Sequence, residues 1–272
     1  MAKGDFDRRD FLKSGALAVG ALALVGVGAS YLDKTKSEIQ LRQDFLRPPG
    51  AIKDEVSFMY GCIKCGLCVQ ICPVQAIKLA DIHEGLSYGT PYIDVRNQAC
   101  DFSCDALQCV ETCPTAVLEF GQFKNAGAIA VEKASKVPGV DLSKVNPFEV
   151  QKVAMKEAVK MGIASVIKNT CLAHKSEGFK GVSRGNSFEG IVRSPDSKFA
   201  YATPLKDKTF DRKICDLCVT ECPIGKSAII MSSDNNDSGI SPKVLEGCTG
   251  CGVCVMVCPT SKPSIVVEPI KS

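Results

Sequence analysis

Residues 62–73 read Cys62-Ile63-Lys64-Cys65-Gly66-Leu67-Cys68-Val69-Gln70-Ile71-Cys72-Pro73, so four cysteines fall within eleven positions and the last precedes proline. Three more short cysteine runs also close on Cys-Pro, and the four runs contain fifteen of the sixteen cysteines. The other runs are Cys100, Cys104, Cys109 and Cys113 before Pro114; Cys215, Cys218 and Cys222 before Pro223; and Cys248, Cys251, Cys254 and Cys258 before Pro259. The repetition indicates that one kind of cysteine-bound site is built several times.

The first and fourth runs have the spacing C-x2-C-x2-C-x3-C-P, which is typical of bacterial ferredoxins with [4Fe–4S] clusters. Three closely spaced cysteines let one loop bind three corners of a cubane cluster. In two-cluster ferredoxins the cysteine before proline ligates the other cluster. Gly66, Gly250 and Gly252 stand between these cysteines, where the backbone must turn sharply. The runs therefore predict four [4Fe–4S] clusters and the transfer of single electrons.

The third run is one ligand short, and Cys171 is the one cysteine outside the runs. A lone cysteine is often a buried apolar residue. Four cubanes nevertheless require sixteen thiolates, which is the number present. We therefore predict that Cys171 completes the third set. The second run has longer gaps, with three residues between Cys100 and Cys104 and four before Cys109, and we interpret it as a cluster run with an expanded loop.

Disulfides, structural zinc and covalent haem are the alternatives for a cysteine-rich chain. Disulfide frameworks mostly serve chains below about 100 residues, and cysteines two residues apart are too close to join distant loops. Structural zinc favours paired C-x2-C elements, without a third cysteine and a Cys-Pro. A c-type haem requires His directly after C-x-x-C, and no run has one. Iron–sulfur ligation accounts for all four runs.

Local signals predict several elements. Proline favours the first turn of a helix, so each Cys-Pro is expected to begin one. The apolar residues that follow are expected to pack inward, namely Ala76, Ile77, Val117, Leu118, Ala228, Ile229 and Ile265. In the centre, Asn146 is a predicted N-cap with Pro147 at the first helical position, Gly162 would end that helix, and residues 163–167 resemble a strand.

The fold class predicted from these signals is α+β, with two bacterial 2[4Fe–4S] ferredoxin-like modules and a long central insertion. The expected divisions are a signal peptide at 1–29, a ferredoxin-like half at 30–135, a central helix, strand and long basic loop at 136–214, and a second ferredoxin-like half at 215–272.

The N-terminus indicates export. It reads Asp7-Arg8-Arg9-Asp10-Phe11-Leu12-Lys13 before an apolar stretch, which is the twin-arginine pattern. The uncharged residues 14–32 also approach the length of a transmembrane helix, but they are rich in Gly and Ala, and Val27-Gly28-Ala29 offers a cleavage site. We expect delivery in folded form to the periplasm and a peripheral position on the outer face of the cytoplasmic membrane. Cleavage or retention of the signal stays open.

Charge and composition exclude other functions. The formal net charge is +3, and four bound clusters of about −2 each would make the protein anionic, so nucleic-acid binding has no support. Residues 172–214 carry nine basic and five acidic side chains, which suits either a solvated loop or docking to an acidic partner.

His83 and His174 are expected at the surface or in caps. Nothing resembles a nucleophile–base pair, a phosphate loop or a pterin pocket, so we predict an electron-transfer subunit without a catalytic site.

These residues resemble the MauM/NapG group of ferredoxin-type proteins. The resemblance is carried by the twin-arginine segment, the cysteine runs, and three further segments: Leu46-Arg47-Pro48-Pro49-Gly50-Ala51-Ile52, Gly89-Thr90-Pro91-Tyr92, and Met161-Gly162-Ile163-Ala164 before Cys171. It implies the iron–sulfur subunit of a quinol-oxidising complex in periplasmic nitrate reduction. It also implies a membrane-embedded NapH-like quinol dehydrogenase as one partner and a periplasmic c-type cytochrome or nitrate reductase as the other. It further supports Cys171 as a ligand.

Two questions stay open at the level of sequence. Spacing favours ligand sharing between runs one and two and between runs three and four, whereas related four-cluster subunits suggest one with four and two with three. The same cysteines would also suit an iron–sulfur subunit of a dimethyl sulfoxide, tetrathionate or methylamine system, or a scaffold protein with structural clusters.

Overall fold

A computed structural model describes residues 45–104, 107–136, 146–185, 190, 205–233 and 240–270. Residues 44–272 group into one compact unit. The helices of the described part are mostly short, because the cysteine loops interrupt them. They are α1 (Glu55–Gly61), α2 (Leu67–Ile71), α3 (Gln108–Glu111), α4 (Gly121–Ser135), α5 (Pro147–Glu157), α6 (Leu217–Thr220) and α7 (Val253–Val257).

The strands of the described residues form four two-stranded antiparallel sheets. These sheets are β1 (Ile77–Leu79) with β2 (Pro91–Ile93), β3 (Gly162–Val166) with β8 (Ile265–Pro269), β4 (Phe179–Val182) with β5 (Thr209–Arg212), and β6 (Ile229–Ser233) with β7 (Ile240–Val244). Short helices and two-stranded sheets alternate around the cysteine runs. The described part of the chain thus has the mixed helix and strand content that the sequence predicts.

The prediction that each Cys-Pro begins a helix is wrong. The helices precede the Cys-Pro pairs, and Cys72 and Cys258 are the C-caps of α2 and α7. Their ψ angles of 112° and 121° are extended, because the ring of a following proline disfavours helical backbone. The chain then turns into a strand, and the seven apolar residues expected to pack inward are all buried.

The predicted central helix and strand are confirmed. The Asn146 side chain accepts a hydrogen bond from the Phe148 N–H at 3.0 Å, with Pro147 in the first turn of α5. The helix ends at Glu157, earlier than the predicted stop at Gly162, which instead opens β3. Because β3 pairs with β8 at the end of the chain, this part of the centre packs within the second cysteine-rich half.

Helices α4 and α5 pack closely. A Cβ atom added at Gly127 of α4 would lie 2.4 Å from the Gln151 Cγ of α5, so the missing side chain allows this approach. The large buried cluster of the described residues contains Phe58, Phe102 and Phe123 together with Met256, and it therefore joins side chains from both cysteine-rich halves.

Within the described ranges, no helix is long and apolar enough to cross a bilayer. The predicted twin-arginine segment lies outside these ranges, as do residues 186–189 and 191–204 of the basic segment.

Candidate iron–sulfur cluster sites

Three cavities in the described part of the chain are each lined by four cysteines. Site A is lined by Cys62, Cys65, Cys68 and Cys113, site C by Cys222, Cys248, Cys251 and Cys254, and site D by Cys171, Cys215, Cys218 and Cys258. The other lining residues of each cavity are mostly apolar. The four thiols of each set therefore face a shared space with little polar competition.

The remaining four cysteines are Cys72, Cys100, Cys104 and Cys109, which we call site B. Burial raises the pKa of the Cys109 thiol, and the nearby Cys104 and Cys72 raise it further. Burial likewise raises the pKa of Cys100, with further contributions from Cys104 and Cys109. Cys68 of site A and Cys251 of site C also contribute to these shifts, so site B is assigned as the four cysteines that lie outside the three cavities. All sixteen cysteines thus divide into four sets of four.

The division answers the open question of which runs share ligands. Sites A, B and C each take three cysteines from one run and the last cysteine of a neighbouring run. Site D takes Cys171, two cysteines of run three and the last cysteine of run four. Helix α2 bears Cys68 of site A and ends at Cys72 of site B, and α7 bears Cys254 of site C and ends at Cys258 of site D. Runs one and two are therefore paired, as are runs three and four. The alternative of one with four and two with three is wrong.

Cys171 lies where the missing ligand was expected. It is buried and lines site D beside Cys215, Cys218 and Cys258. Its N–H bonds to the Lys168 carbonyl at 3.1 Å, which closes a short 3-10 turn at Lys168–Thr170 directly after β3. The pairing of β3 with β8 therefore fixes the position of Cys171 relative to the fourth run.

The chemistry of the four sets fits [4Fe–4S] clusters. Burial raises the pKa of Cys68 and Cys215 to about 11 and that of Cys251 to about 12. These thiols stay protonated at neutral pH unless a cation favours the thiolate, and bound iron supplies that cation. The structure contains free thiols at all sixteen positions, so the donor set needed for four cubanes is complete.

The cysteines of sites A, C and D each surround a cavity, which suits a cluster of several irons joined by sulfide. His83 is exposed, and neither histidine lines a cysteine cavity. The half-buried His174 has an Nδ1 atom without a hydrogen-bond partner.

Three glycines allow the cysteine loops to adopt a left-handed backbone next to these sites. Gly66, Gly250 and Gly252 have φ angles of +73°, +72° and +86°, which side-chain-bearing residues rarely adopt. A Cβ atom at Gly250 would also lie 2.3 Å from the Gly162 N atom, and one at Gly252 would lie 2.2 Å from Val95 Cγ1. The two glycines of run four thus permit close contact with β3 and with the first cysteine-rich half.

Two segments of the family resemblance meet beside site A. The buried Arg47 side chain donates hydrogen bonds to Thr90 Oγ1 at 3.0 Å and to the Pro91 carbonyl at 2.7 Å. It also pairs with Glu55 at the start of α1. Arg47 therefore ties β2 to the helix that leads into Cys62, which gives the Arg-Pro-Pro-Gly and Gly-Thr-Pro segments a structural role.

Several polar contacts to the cysteines were not predicted. Cys258 Sγ accepts the Ser264 N–H at 3.3 Å and lies 3.1 Å from Thr260 Oγ1. Cys113 Sγ lies 3.7 Å from Thr115 Oγ1. The repeated Cys-Pro-Thr of runs two and four was a sequence signal for these hydroxyl groups. The contact of Arg96 with the last turn of run four had no such signal.

The four sites follow one another in the order A, B, C, D. Sites A and B share α2 and α3, and sites C and D share α6 and α7. The two pairs meet where the Cys100 N–H of site B bonds to the Cys251 carbonyl of site C at 3.3 Å. Nearby, the Ala99 N–H points to Met256 Sδ at 3.3 Å. From these contacts we infer the order A, B, C, D, with sites A and D at the two ends.

Site A is the more exposed end. Cys65 is the one cysteine of the sixteen whose side chain is exposed. Exposed apolar side chains line or adjoin this site, and we call them the apolar face: Ile63, Leu67, Leu79 and Tyr88. Ile63, Leu67 and Leu79 line the site itself, and the Lys64 Nζ lies 5.6 Å from the centre of the Tyr88 ring.

Comparison with protein-family models identifies two cluster-binding regions. Residues 61–117 match a 4Fe–4S dicluster domain, and residues 242–261 match a 4Fe–4S binding domain. The first range contains all the cysteines of runs one and two, and the second contains run four.

Curated relatives cover nearly the whole chain. The ferredoxin-type protein NapG of Escherichia coli is 28% identical over 99% of this chain and 88% of its own length. The methylamine utilization ferredoxin-type protein MauM of Methylophilus methylotrophus is 26% identical over 97% of this chain and 87% of its own. MauM of Methylorubrum extorquens is 35% identical over 41% of this chain and 49% of its own. No solved structure is significantly similar.

Proposed function

This chain belongs to the NapG/MauM family of ferredoxin-type proteins, and from that premise we propose that it relays electrons through four [4Fe–4S] clusters from a membrane quinol dehydrogenase to a periplasmic nitrate reductase. The observation that supports it is the series of four tetracysteine sets in one compact unit. A [4Fe–4S] cluster in each set would supply transfer of one electron at a time.

The chain's own residues have three tasks in this relay. The sixteen cysteines would hold the clusters, the apolar walls limit the access of water, and backbone N–H groups near the sulfur atoms help set each potential. The short helices that serve two sites each keep neighbouring sites close. No residue pair suited to acid–base or nucleophilic chemistry is needed, so the protein would be a subunit without catalysis of its own.

The apolar face supports a membrane-embedded, NapH-like partner at site A. Exposed apolar groups next to a redox site suit a partner whose contact surface is also apolar. Ile63 is 62% exposed and Tyr88 is 51% exposed, so both are available for such a contact. Electrons would then enter at site A and leave at site D toward a c-type cytochrome or the reductase.

A second candidate is service to a different oxidoreductase. Several relatives are named for methylamine utilization, so the electron acceptor of this chain would differ in that case while its clusters stay the same. The twin-arginine segment supports export for both candidates, because clusters are assembled where thiols stay reduced and the folded protein is then carried to the periplasm.

The test is cluster content and its dependence on Cys171. Anaerobically purified protein is expected to contain about sixteen irons and as many acid-labile sulfides. Cys171→Ser should remove or convert one cluster, whereas the matched variant Ala173→Ser, also buried but not in a cysteine set, should keep all of them. Zinc, disulfides or an unchanged iron content in Cys171→Ser would contradict the proposed sites.

A further inference from the structure

Arg96 reaches from the first cysteine-rich half into the last turn of run four. Its Nη1 donates to the carbonyls of Val255 at 2.8 Å and Cys258 at 3.0 Å. Its Nη2 donates to the carbonyl of Ser261 at 3.1 Å and also to that of Thr260. The guanidinium is thus fixed against the segment that carries the Cys258 ligand of site D.

A second arginine lies beside the first. Arg184 donates from Nη1 to the Arg96 carbonyl, and it follows β4 and the buried Ser183, which donates to the Val257 carbonyl at 2.7 Å. Burial lowers the pKa of both arginines, the neighbouring Arg96 lowers the pKa of Arg184 further, and Cys258 opposes the shift in each case. Asp94 is the acidic group that faces Arg184, and it also pairs with Lys78 at 3.5 Å.

We propose that Arg96, supported by Arg184, raises the reduction potential of the cluster at site D above the value that its cysteines alone would give. This rests on the proposed function, since it requires a [4Fe–4S] cluster held by Cys171, Cys215, Cys218 and Cys258. Reduction adds one electron, and hence one negative charge, to that cluster. A cation held nearby stabilises the reduced level more than the oxidised level, and partial burial limits screening by salt.

The position of Arg96 gives the effect a direction within the relay. Site D is the end of the series opposite the exposed Cys65, and a raised potential there favours the arrival of electrons from site C. The side chain comes from the first half, so correct packing of the two halves is required to place this charge. Arg96 is therefore a positioning residue that tunes site D without contacting the reacting atoms.

The test is an EPR-monitored redox titration of the full-length, anaerobically reconstituted protein. Arg96→Met should move one of the four components to a more negative potential and leave the other three unchanged. That component should be the one that Cys171→Ser removes or converts. Arg96→Lys keeps the charge but loses most of the carbonyl contacts. It should therefore lower thermal stability as Arg96→Met does, but leave the reduction potential of this component close to the wild-type value.

Lys136→Met is the matched charge control, because it removes one positive charge from the exposed end of α4. It should leave all four potentials unchanged. Equal shifts in Arg96→Met and Arg96→Lys, or no shift in Arg96→Met, would show that Arg96 is only a structural clamp. If Arg96→Met does not fold, Arg184→Met is titrated instead. It should move the same component to a more negative potential, and no shift would contradict the proposal. An iron content well below sixteen in the wild type would instead refute the proposed function itself.

Discussion

The glycines of the cysteine loops show how single residues determine these sites. Gly66 and Gly250 have nearly the same left-handed backbone, with φ of +73° and +72°. They differ in surroundings, since a Cβ atom at Gly66 would meet nothing within 4 Å, whereas one at Gly250 would meet the backbone of Gly162 at 2.3 Å. Backbone strain and steric exclusion can therefore be separated by the same substitution at two positions.

We expect Gly66→Ala to lower the free energy of unfolding by about 1–2 kcal/mol, the cost of a left-handed backbone for a residue with a Cβ atom. Gly250→Ala should cost clearly more, because neither Gly162 nor the paired β3–β8 sheet can move aside easily. It should also lower the iron content through site C. Denaturation and iron analysis of both variants measure this. Equal losses in the two variants would show that strain alone matters.

At the scale of elements, the α4–α5 pair depends on one missing side chain. Alanine stabilises a helix interior by about 1 kcal/mol relative to glycine. Gly121 is the first residue of α4, so Gly121→Ala, whose Cβ atom would meet nothing within 4 Å, is expected to be close to neutral. Gly127→Ala should lack this gain, because its Cβ atom meets Gln151. The double variant Gly127→Ala with Gln151→Ala should recover part of it. Thermal unfolding measures all three, and additive effects of the two substitutions would contradict the contact.

The elements also show what sequence could and could not predict. The N-cap and proline of α5 and the strand after Gly162 were predictable because their signals are local. The helices next to the Cys-Pro pairs were placed on the wrong side, since the preference of proline for a first turn was weighted above its effect on the preceding residue. The candidate ligands were predictable from spacing. Arg96 was not, because its partners lie about 160 positions away and are backbone carbonyls that any sequence supplies.

At the scale of the molecule, the four sites form a series because the two cysteine-rich halves pack through their inner sites. Run spacing suggested pairs within each half, whereas long-range contacts such as that between Cys100 and Cys251 relate one pair to the other. Gly252 contributes to the same junction by allowing Val95 to approach. The order A, B, C, D is therefore inferred from long-range packing, and it would give the proposed relay two distinct ends.

This order predicts how the sites influence one another when all are reduced. Each reduced cluster carries an unpaired spin, and spins on neighbouring clusters broaden each other's EPR signals. Cys109→Ser removes a ligand of site B, so it should leave about twelve irons and convert the signal of site A to that of an isolated cluster, while sites C and D stay coupled. Cys65→Ser is the control, since loss of site A should leave B, C and D coupled and produce no isolated signal. If site A stayed coupled after loss of site B, it would have to adjoin another site, and the linear order would be wrong.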